Sequence, residues 1–275
     1  MALPDPSPRG AALVTGASSG IGTAIARELA ARGHAVTLVA RREERLRSLA
    51  TELTAEFDAD AAAVACDLGD PAERERLAGL LAGTGRAVEV LVNNAGFGSR
   101  GDFIGNDRER MLEMIRVNVE AVVDLTSRFL PGMVERGRGA VINVASVAAF
   151  QPIPGSATYA ASKSFVLSFS EAIRTEQRGT GVSVTAVCPG PVKTEFTDAA
   201  GMAGVEDETP DLFWMSAEEI AREAVQGAEH DKRVVVPGAL NQAQSIFGQH
   251  LPRSLMLPLV ERIWGSTTAR GSLEE

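Results

Sequence analysis

Short apolar runs alternate with longer amphipathic stretches from one end of the chain to the other. The runs Ala11–Thr15, Ala35–Ala40, Ala61–Cys66, Val88–Asn93, Ala140–Ala145, Val182–Val187 and Arg233–Val236 are rich in valine and bounded by Gly, Asp or Asn. Continuous apolar runs of that length suit strands buried on both faces of a parallel sheet. Between them, Ile21–Ala31, Glu43–Phe57 and Pro71–Leu81 read as helices, and Asp70-Pro71 is a helix start with an acid at the N-cap and proline in the first turn. Thr158–Gln177 carries Phe165, Phe169 and Ile173 four residues apart, which predicts a buried helical stripe.

Regular β-α-β alternation with right-handed crossovers predicts an α/β fold, a doubly wound parallel sheet of about seven strands with helices on both faces. A flexible lead-in over residues 1–10 precedes one domain over residues 11–275. The rhythm breaks in Pro189–Met215 and Asn241–Gly265. Residues 191–215 read as a lid over substrate or a solvated loop, and residues 239–265 as a C-terminal helical extension.

Composition narrows the function classes. Of 275 residues, 45% are hydrophobic and 23% charged, a normal balance for a folded domain. The net charge of −9 argues against nucleic acid, which needs a basic face. Cys66 and Cys188 each close an apolar run and read as buried thiols in a reducing compartment. The three histidines lack ligand spacing, so no metal site follows. No apolar run reaches the about 18 residues of a spanning helix, and the proline-rich start is unlike a signal peptide, so the expected compartment is the cytoplasm.

Thr15-Gly16-Ala17-Ser18-Ser19-Gly20-Ile21-Gly22 follows the first strand. Its glycines let the backbone turn tightly towards a pyrophosphate, and the next helix offers free N–H groups and a positive dipole end. An acid at the end of the second strand would hold the ribose 2′-hydroxyl of NAD. This chain has Ala40-Arg41-Arg42 there, and two guanidinium groups suit a 2′-phosphate. The expected cofactor is therefore NADP(H) in preference to NAD(H).

The one tyrosine, Tyr159, stands four residues before Lys163, which puts both side chains on one helix face. An adjacent ammonium stabilises a phenolate and lowers the phenol pKa from about 10, at ~1.4 kcal/mol per unit. A phenol tuned this way exchanges a proton with a carbonyl or carbinol oxygen.

With these residues in order, the chain resembles the short-chain dehydrogenase/reductase family in its compact single-domain branch. The motifs are Thr15–Gly22, Asp67, Asn93-Asn94-Ala95-Gly96, Asn118, Ser146, Tyr159 with Lys163, and Pro189-Gly190, spread over Ala11–Val236. The resemblance implies that Ser146 orients the substrate oxygen and that Tyr159 is the acid or base. Lys163 would lower the tyrosine pKa and bind the nicotinamide ribose, and Asn118 would hold a water for proton relay. It also implies that Asp67 and Leu68 face the adenine, and that Asn94, Ala95 and Gly96 pass beside the adjoining ribose. Pro189, Gly190, Val192 and Thr194 would cover the nicotinamide. Gly16, Ser18, Ser19, Gly20, Ile21 and Gly22 form the phosphate turn, while Asn93 reads as a structural bridge between strands. Many NADP-binding relatives carry a basic residue before the middle glycine; here it is Ser19, leaving the 2′-phosphate to Arg41 and Arg42.

Phe97, Gly98 and Ala148 to Gln151 would line the pocket. They are mostly apolar or small, so the expected substrate is an uncharged ketone, aldehyde or secondary alcohol. The resemblance implies a homodimer or homotetramer, with helices over Asp107–Pro131 and Thr158–Gln177 paired across a two-fold axis. The apolar tail from Ile246 to Trp264 would pack on the body or another subunit, with peripheral membrane contact through Arg253 and Arg262 as the alternative. The functional reading is an oxidoreductase for a carbonyl/alcohol pair. A non-catalytic NADP(H) sensor or scaffold is the rival from another class.

Overall fold

The computed structural model describes residues 3–192 and 211–250, with residues 254, 257 and 258. Seven strands form one parallel sheet: β1 (Gly10–Thr15), β2 (Val36–Ala40), β3 (Ala61–Ala65), β4 (Ala87–Asn93), β5 (Gly139–Val144), β6 (Val182–Val187) and β7 (Val234–Val235). Their order is β3-β2-β1-β4-β5-β6-β7. Every strand lies within one residue of its sequence-predicted bounds, because each is an apolar run; the inner strands are covered on both faces and the edge strand β3 is half-buried.

The helices are α1 (Gly20–Ala31), α2 (Glu43–Phe57), α3 (Pro71–Gly83), α4 (Arg108–Ile115), α5 (Ala121–Glu135), α6 (Ala157–Glu176), α7 (Ala217–Glu229) and α8 (Ala239–His250). Alternate strand residues feed two cores. Ala12, Val14, Val90, Val92 and Ile142 pack with Ile25 of α1, Leu46 of α2 and Ala224 of α7. Leu13, Leu91 and Val141 point the other way, to Leu77 of α3, Leu125 of α5 and Ile173 of α6. The order in which strands are added reverses between β1 and β4, which opens a crevice beyond their carboxyl ends, where ligands bind in such sheets.

Three local features depart from the sequence reading. The helix expected over Asp107–Pro131 is two helices joined by a π turn over Arg116–Glu120, and α5 continues past Pro131 to Glu135. Proline removes only one N–H, and Met133 beyond it is fully buried, so packing carries the helix through. The predicted stripe is buried only in part: Ile173 is buried and Phe169 half-buried against the core, while Phe165 turns outward. Phe165 is exposed and stacks on Phe169, with ring centroids 5.8 Å apart. The face that looks inward carries Lys163, Val166 and Ser170 with Ile173. Lys163 must face the sheet, and Phe165, two residues on, is rotated by about 200° from it.

Ahead of β1, Leu3 N–H donates to the Ala228 carbonyl at 3.0 Å and Ser7 Oγ to Glu89 at 3.0 Å. Cys66 and Cys188 are free and buried, as the sequence predicts. Among the described residues no helix is long and apolar enough to cross a membrane.

Candidate active site

The carboxyl end of β1 passes into the phosphate turn. Gly16 and Gly20 have φ of 65° and 54°, conformations that favour glycine. A Cβ on Gly22 would collide with the Gly16 carbonyl oxygen and with Asn94 Nδ2, so helix and turn approach more closely than any other residue permits. Ser19 is the N-cap of α1 but makes no side-chain cap, and the first turn of α1 carries no acid. The leading N–H groups thus face the crevice without a competing anion on their own helix, the arrangement a pyrophosphate needs.

Arg42, at the start of α2, reaches back to this turn. Its Nη2 donates to Ser18 Oγ at 3.0 Å and to Ser19 Oγ at 2.8 Å, and its Nε donates to Ser18 Oγ at 3.2 Å. Ser19 therefore belongs to a cluster of one guanidinium and two hydroxyls. Arg41 is placed differently: its Nη1 pairs with Glu113 of α4 at 3.2 Å.

Asn94 braces the turn. Its Nδ2 donates to the Thr15 carbonyl at 2.9 Å and the Gly16 carbonyl at 3.3 Å, while Thr15 Oγ1 accepts from the N–H groups of Asn94 and Ala95. The Asn94 amide nitrogen is thus engaged by the chain itself. Asn93 donates to Asn143 Oδ1 at 2.8 Å and Thr126 Oγ1 at 3.1 Å, the strand bridge expected for it. Asp67 Oδ1 accepts from Gly69 N–H at 2.9 Å in the turn after β3. Leu68 has its side chain in the core.

The reacting end lies beyond β5. Ser146 begins a 3-10 turn over Val147–Phe150, with Oγ accepting from Ala148 N–H at 3.1 Å. Its Oγ also donates to the Pro189 carbonyl at 3.5 Å, and it stands close enough to Tyr159 to draw that phenol's pKa down. Lys163 is buried; its Nζ donates to the Val144 carbonyl at 2.9 Å and lies 5.9 Å from the Tyr159 ring centroid. Burial pushes the Tyr159 phenol up to about 12, with Ser146 pulling back only part of the rise. The lowered phenol pKa expected from the sequence is therefore reversed, because desolvation of the phenolate dominates. Burial also draws the Lys163 ammonium down to about 8.

Asn118 sits fully buried in the π turn, a distortion that recurs at functional positions. Its Oδ1 accepts from Phe97 N–H at 3.1 Å, and Nδ2 donates to the Phe97 carbonyl at 3.0 Å and to Ser162 Oγ at 3.1 Å. Both amide hydrogens are engaged, while Oδ1 keeps a second lone pair. A Cβ on Gly96 would stand 2.9 Å from Asn118 Oδ1 and 3.3 Å from Lys163 Nζ, which leaves this stretch open for a ribose. Pro189 accepts from Val147 N–H at 2.9 Å, Gly190 abuts Asn241 of α8 without room for a Cβ, and Val192 bridges to Met215. Thr194 and most of the 191–215 segment lie outside the described residues, as does the tail beyond α8 apart from three positions.

Sequence reasoning missed two contacts. Arg110 holds its guanidinium 5.2 Å over the Phe97 ring, at the rim of the pocket. Asn241 anchors α8 against Gly190 and donates to the Pro237 carbonyl at 3.1 Å. Neither has a local signature, since both depend on helices that fold back from distant sequence.

A doubly wound sheet, a glycine turn feeding an uncapped helix and a Ser-Tyr-Lys cluster together define an oxidoreductase built around a dinucleotide. The family model for short chain dehydrogenases matches residues 10–203. Sulfoacetaldehyde reductase 2 of Chromohalobacter salexigens is 39% identical over 218 residues, covering 76% of this chain and 84% of that protein. A putative ketoacyl reductase of the granaticin polyketide synthase from Streptomyces violaceoruber is 40% identical, covering 72% of this chain and 73% of its own length. A short-chain dehydrogenase from Sphingobium yanoikuyae in complex with NADPH superposes with a TM-score of 0.77 at 31% identity, over 95% of this chain and 97% of that one. Actinorhodin polyketide ketoreductase with NADPH gives 0.74 at 33% identity, over 88% and 99%. The chain belongs to the short-chain dehydrogenase/reductase family, enzymes that act on the carbinol/carbonyl pair.

Proposed function

We propose that the chain is an NADP(H)-preferring reductase of ketones or aldehydes, with Tyr159 as the general acid. The observation that carries this reading is Tyr159 set beside Ser146, with Lys163 buried one turn along the same helix and its Nζ 5.9 Å from the tyrosine ring centroid. NADPH would supply the hydride. Ser146 and Tyr159 would both hydrogen-bond the carbonyl oxygen, and Tyr159 would give it a proton as negative charge develops there. A phenol held near 12 stays protonated at neutral pH, which favours the reductive direction. Lys163 would steady the phenolate left behind and hold the ribose across the opening beside Gly96, while Asn118 keeps the Phe97 backbone in place.

Preference for the 2′-phosphate rests on Arg42 with the Ser18 and Ser19 hydroxyls, and the NADPH complexes among the structural relatives support it. The lining by Phe97, Ala148 and Ala149 supports an uncharged, fairly apolar substrate. Loss of NADPH absorbance should be followed against ketones, aldehydes, an acyl thioester and a sulfonated aldehyde. Tyr159→Phe is expected to lower turnover by about 100-fold or more with NADPH affinity within about twofold of the parent. Parental turnover in that variant would overturn the assignment. A sensor or scaffold would bind NADPH tightly and reduce nothing in the panel. Strong preference for the sulfonated aldehyde would overturn the apolar substrate and direct attention to Arg110.

A further inference from the structure

Arg74 is a buried arginine that the chemistry above leaves unused. It stands in the first turn of α3, with a side chain only 3% exposed. Its three donor nitrogens point three ways. Nη1 donates to the Leu68 carbonyl at 2.7 Å, Nε to Asp124 Oδ2 at 2.6 Å, and Nη2 pairs with Glu120. Leu68 belongs to the turn after β3, Glu120 closes the π turn that carries Asn118, and Asp124 lies one helical turn further along α5. The same two segments meet again where Val117 approaches Gly69, at 3.6 Å from where a Cβ would stand.

A guanidinium stripped of water needs strong reasons to stay buried, and here every acceptor around it is a carbonyl or a carboxylate. Asp124 is fixed in turn by Arg128 Nε at 2.7 Å, and Arg128 by Glu75 at 2.7 Å. Only a planar fork reaches three acceptors on separate segments, so the geometry selects arginine over lysine. The rest of the 67–70 turn is held by local bonds, Gly69 N–H to Asp67 and Ala72 N–H to Asp70. Arg74 is what fastens it to the opposite helix.

We infer that Arg74 is a positioning residue that sets the 67–70 turn against the π turn, and thereby sets the fit of the cofactor's purine base. This rests on the proposed dinucleotide reading, in which Asp67 and Leu68 face the adenine. Asp67 keeps Oδ2 without a hydrogen-bond partner among the described residues, an acceptor suited to the 6-amino group of adenine and repelled by the 6-oxo group of hypoxanthine.

The test is binding of three dinucleotides, NADPH, its hypoxanthine analogue and NADH, to the full chain carrying Arg74→Met or Arg74→Lys. Arg74→Met is expected to weaken NADPH by about tenfold and to bring the preference for adenine over hypoxanthine to within about twofold of unity. The ratio of NADPH to NADH affinity should hold, because Arg42 and the serines are untouched. Arg74→Lys should fall between parent and methionine variant, and it keeps the question open to measurement if Arg74→Met does not fold. Parental base preference in the lysine variant, or equal loss for all three dinucleotides, would overturn the inference. So would a parent that does not distinguish the two bases. Because the readout is binding, a chain that binds NADPH but reduces nothing would sink the proposed function and leave this test intact.

Discussion

Tyr159 and Lys163 show how one buried position acts on both chemistry and stability. Below pH 8 the ammonium is charged in the folded and unfolded chain alike, and the folded chain bears the full cost of burying it. Between about 8 and the ordinary 10.5 the unfolded chain still holds a proton that the folded one has released. Stability then rises with pH across that window. Lys163→Met should abolish this rise, so the parent's disadvantage relative to the variant at pH 7 should shrink by on the order of 3 kcal/mol by pH 10.5. The raised Cys66 thiol acts in the opposite sense, losing stability as pH climbs, but nothing in its shift comes from Lys163, so it is common to both proteins and cancels in the difference. Denaturant titrations at pH 7, 8, 9 and 10 measure it, and a parent-to-variant difference that stays flat would refute burial as the cause of the lysine shift.

At the scale of elements, the phosphate turn was legible because its chemistry is local: glycines at fixed spacing after an apolar run, then a helix. The seven strands were legible for a similar reason, since an apolar run bounded by Gly or Asn has few alternatives in a chain of this composition. The π turn was not, because Arg116–Glu120 reads as ordinary helix, and the bonds that hold it, from Asn118 to Phe97 and Ser162 and from Glu120 to Arg74, are tertiary. The outward turn of Phe165 was hidden too: four-residue spacing marks a face without saying whether it looks inward, and Lys163 decides that. Arg41 and Arg42 stood side by side in sequence, yet the fold gives them different partners. Only Arg42 joins the two turn serines. Arg42→Ala is accordingly expected to raise KM for NADPH by about 10- to 100-fold and to change KM for NADH by less than about threefold. Arg41→Ala should have the smaller effect. If the two single variants lose NADPH equally, the serine-arginine cluster is not the centre of 2′-phosphate recognition.

For the whole molecule, the outward apolar face of α4, α5 and α6 is the feature a lone subunit does not explain. Leu112, Ile115 and Val123 recur at helical spacing and are each more than a third exposed, and Phe165 on the neighbouring α6 is 42% exposed. Thr158 Oγ1 meets Met111 Sδ at 3.5 Å, so α4 and α6 lie side by side and the exposed side chains belong to adjoining helices. Single exposed apolar residues are ordinary, but a run of them across packed helices marks an interface. A two-fold axis through this face would set each copy's stripe on its partner's, and a stable contact needs roughly 800 Å² from each subunit. The expected outcome is that the parent sediments as a dimer or tetramer at micromolar concentration. Phe165→Glu combined with Ile115→Glu should shift it to monomer, since two carboxylates would be buried opposite their own copies. Both substituted positions are exposed in the single subunit, so the monomer should keep its fold by circular dichroism. A parent that sediments as a monomer, or a variant whose mass is unchanged, would remove this face from any role in assembly.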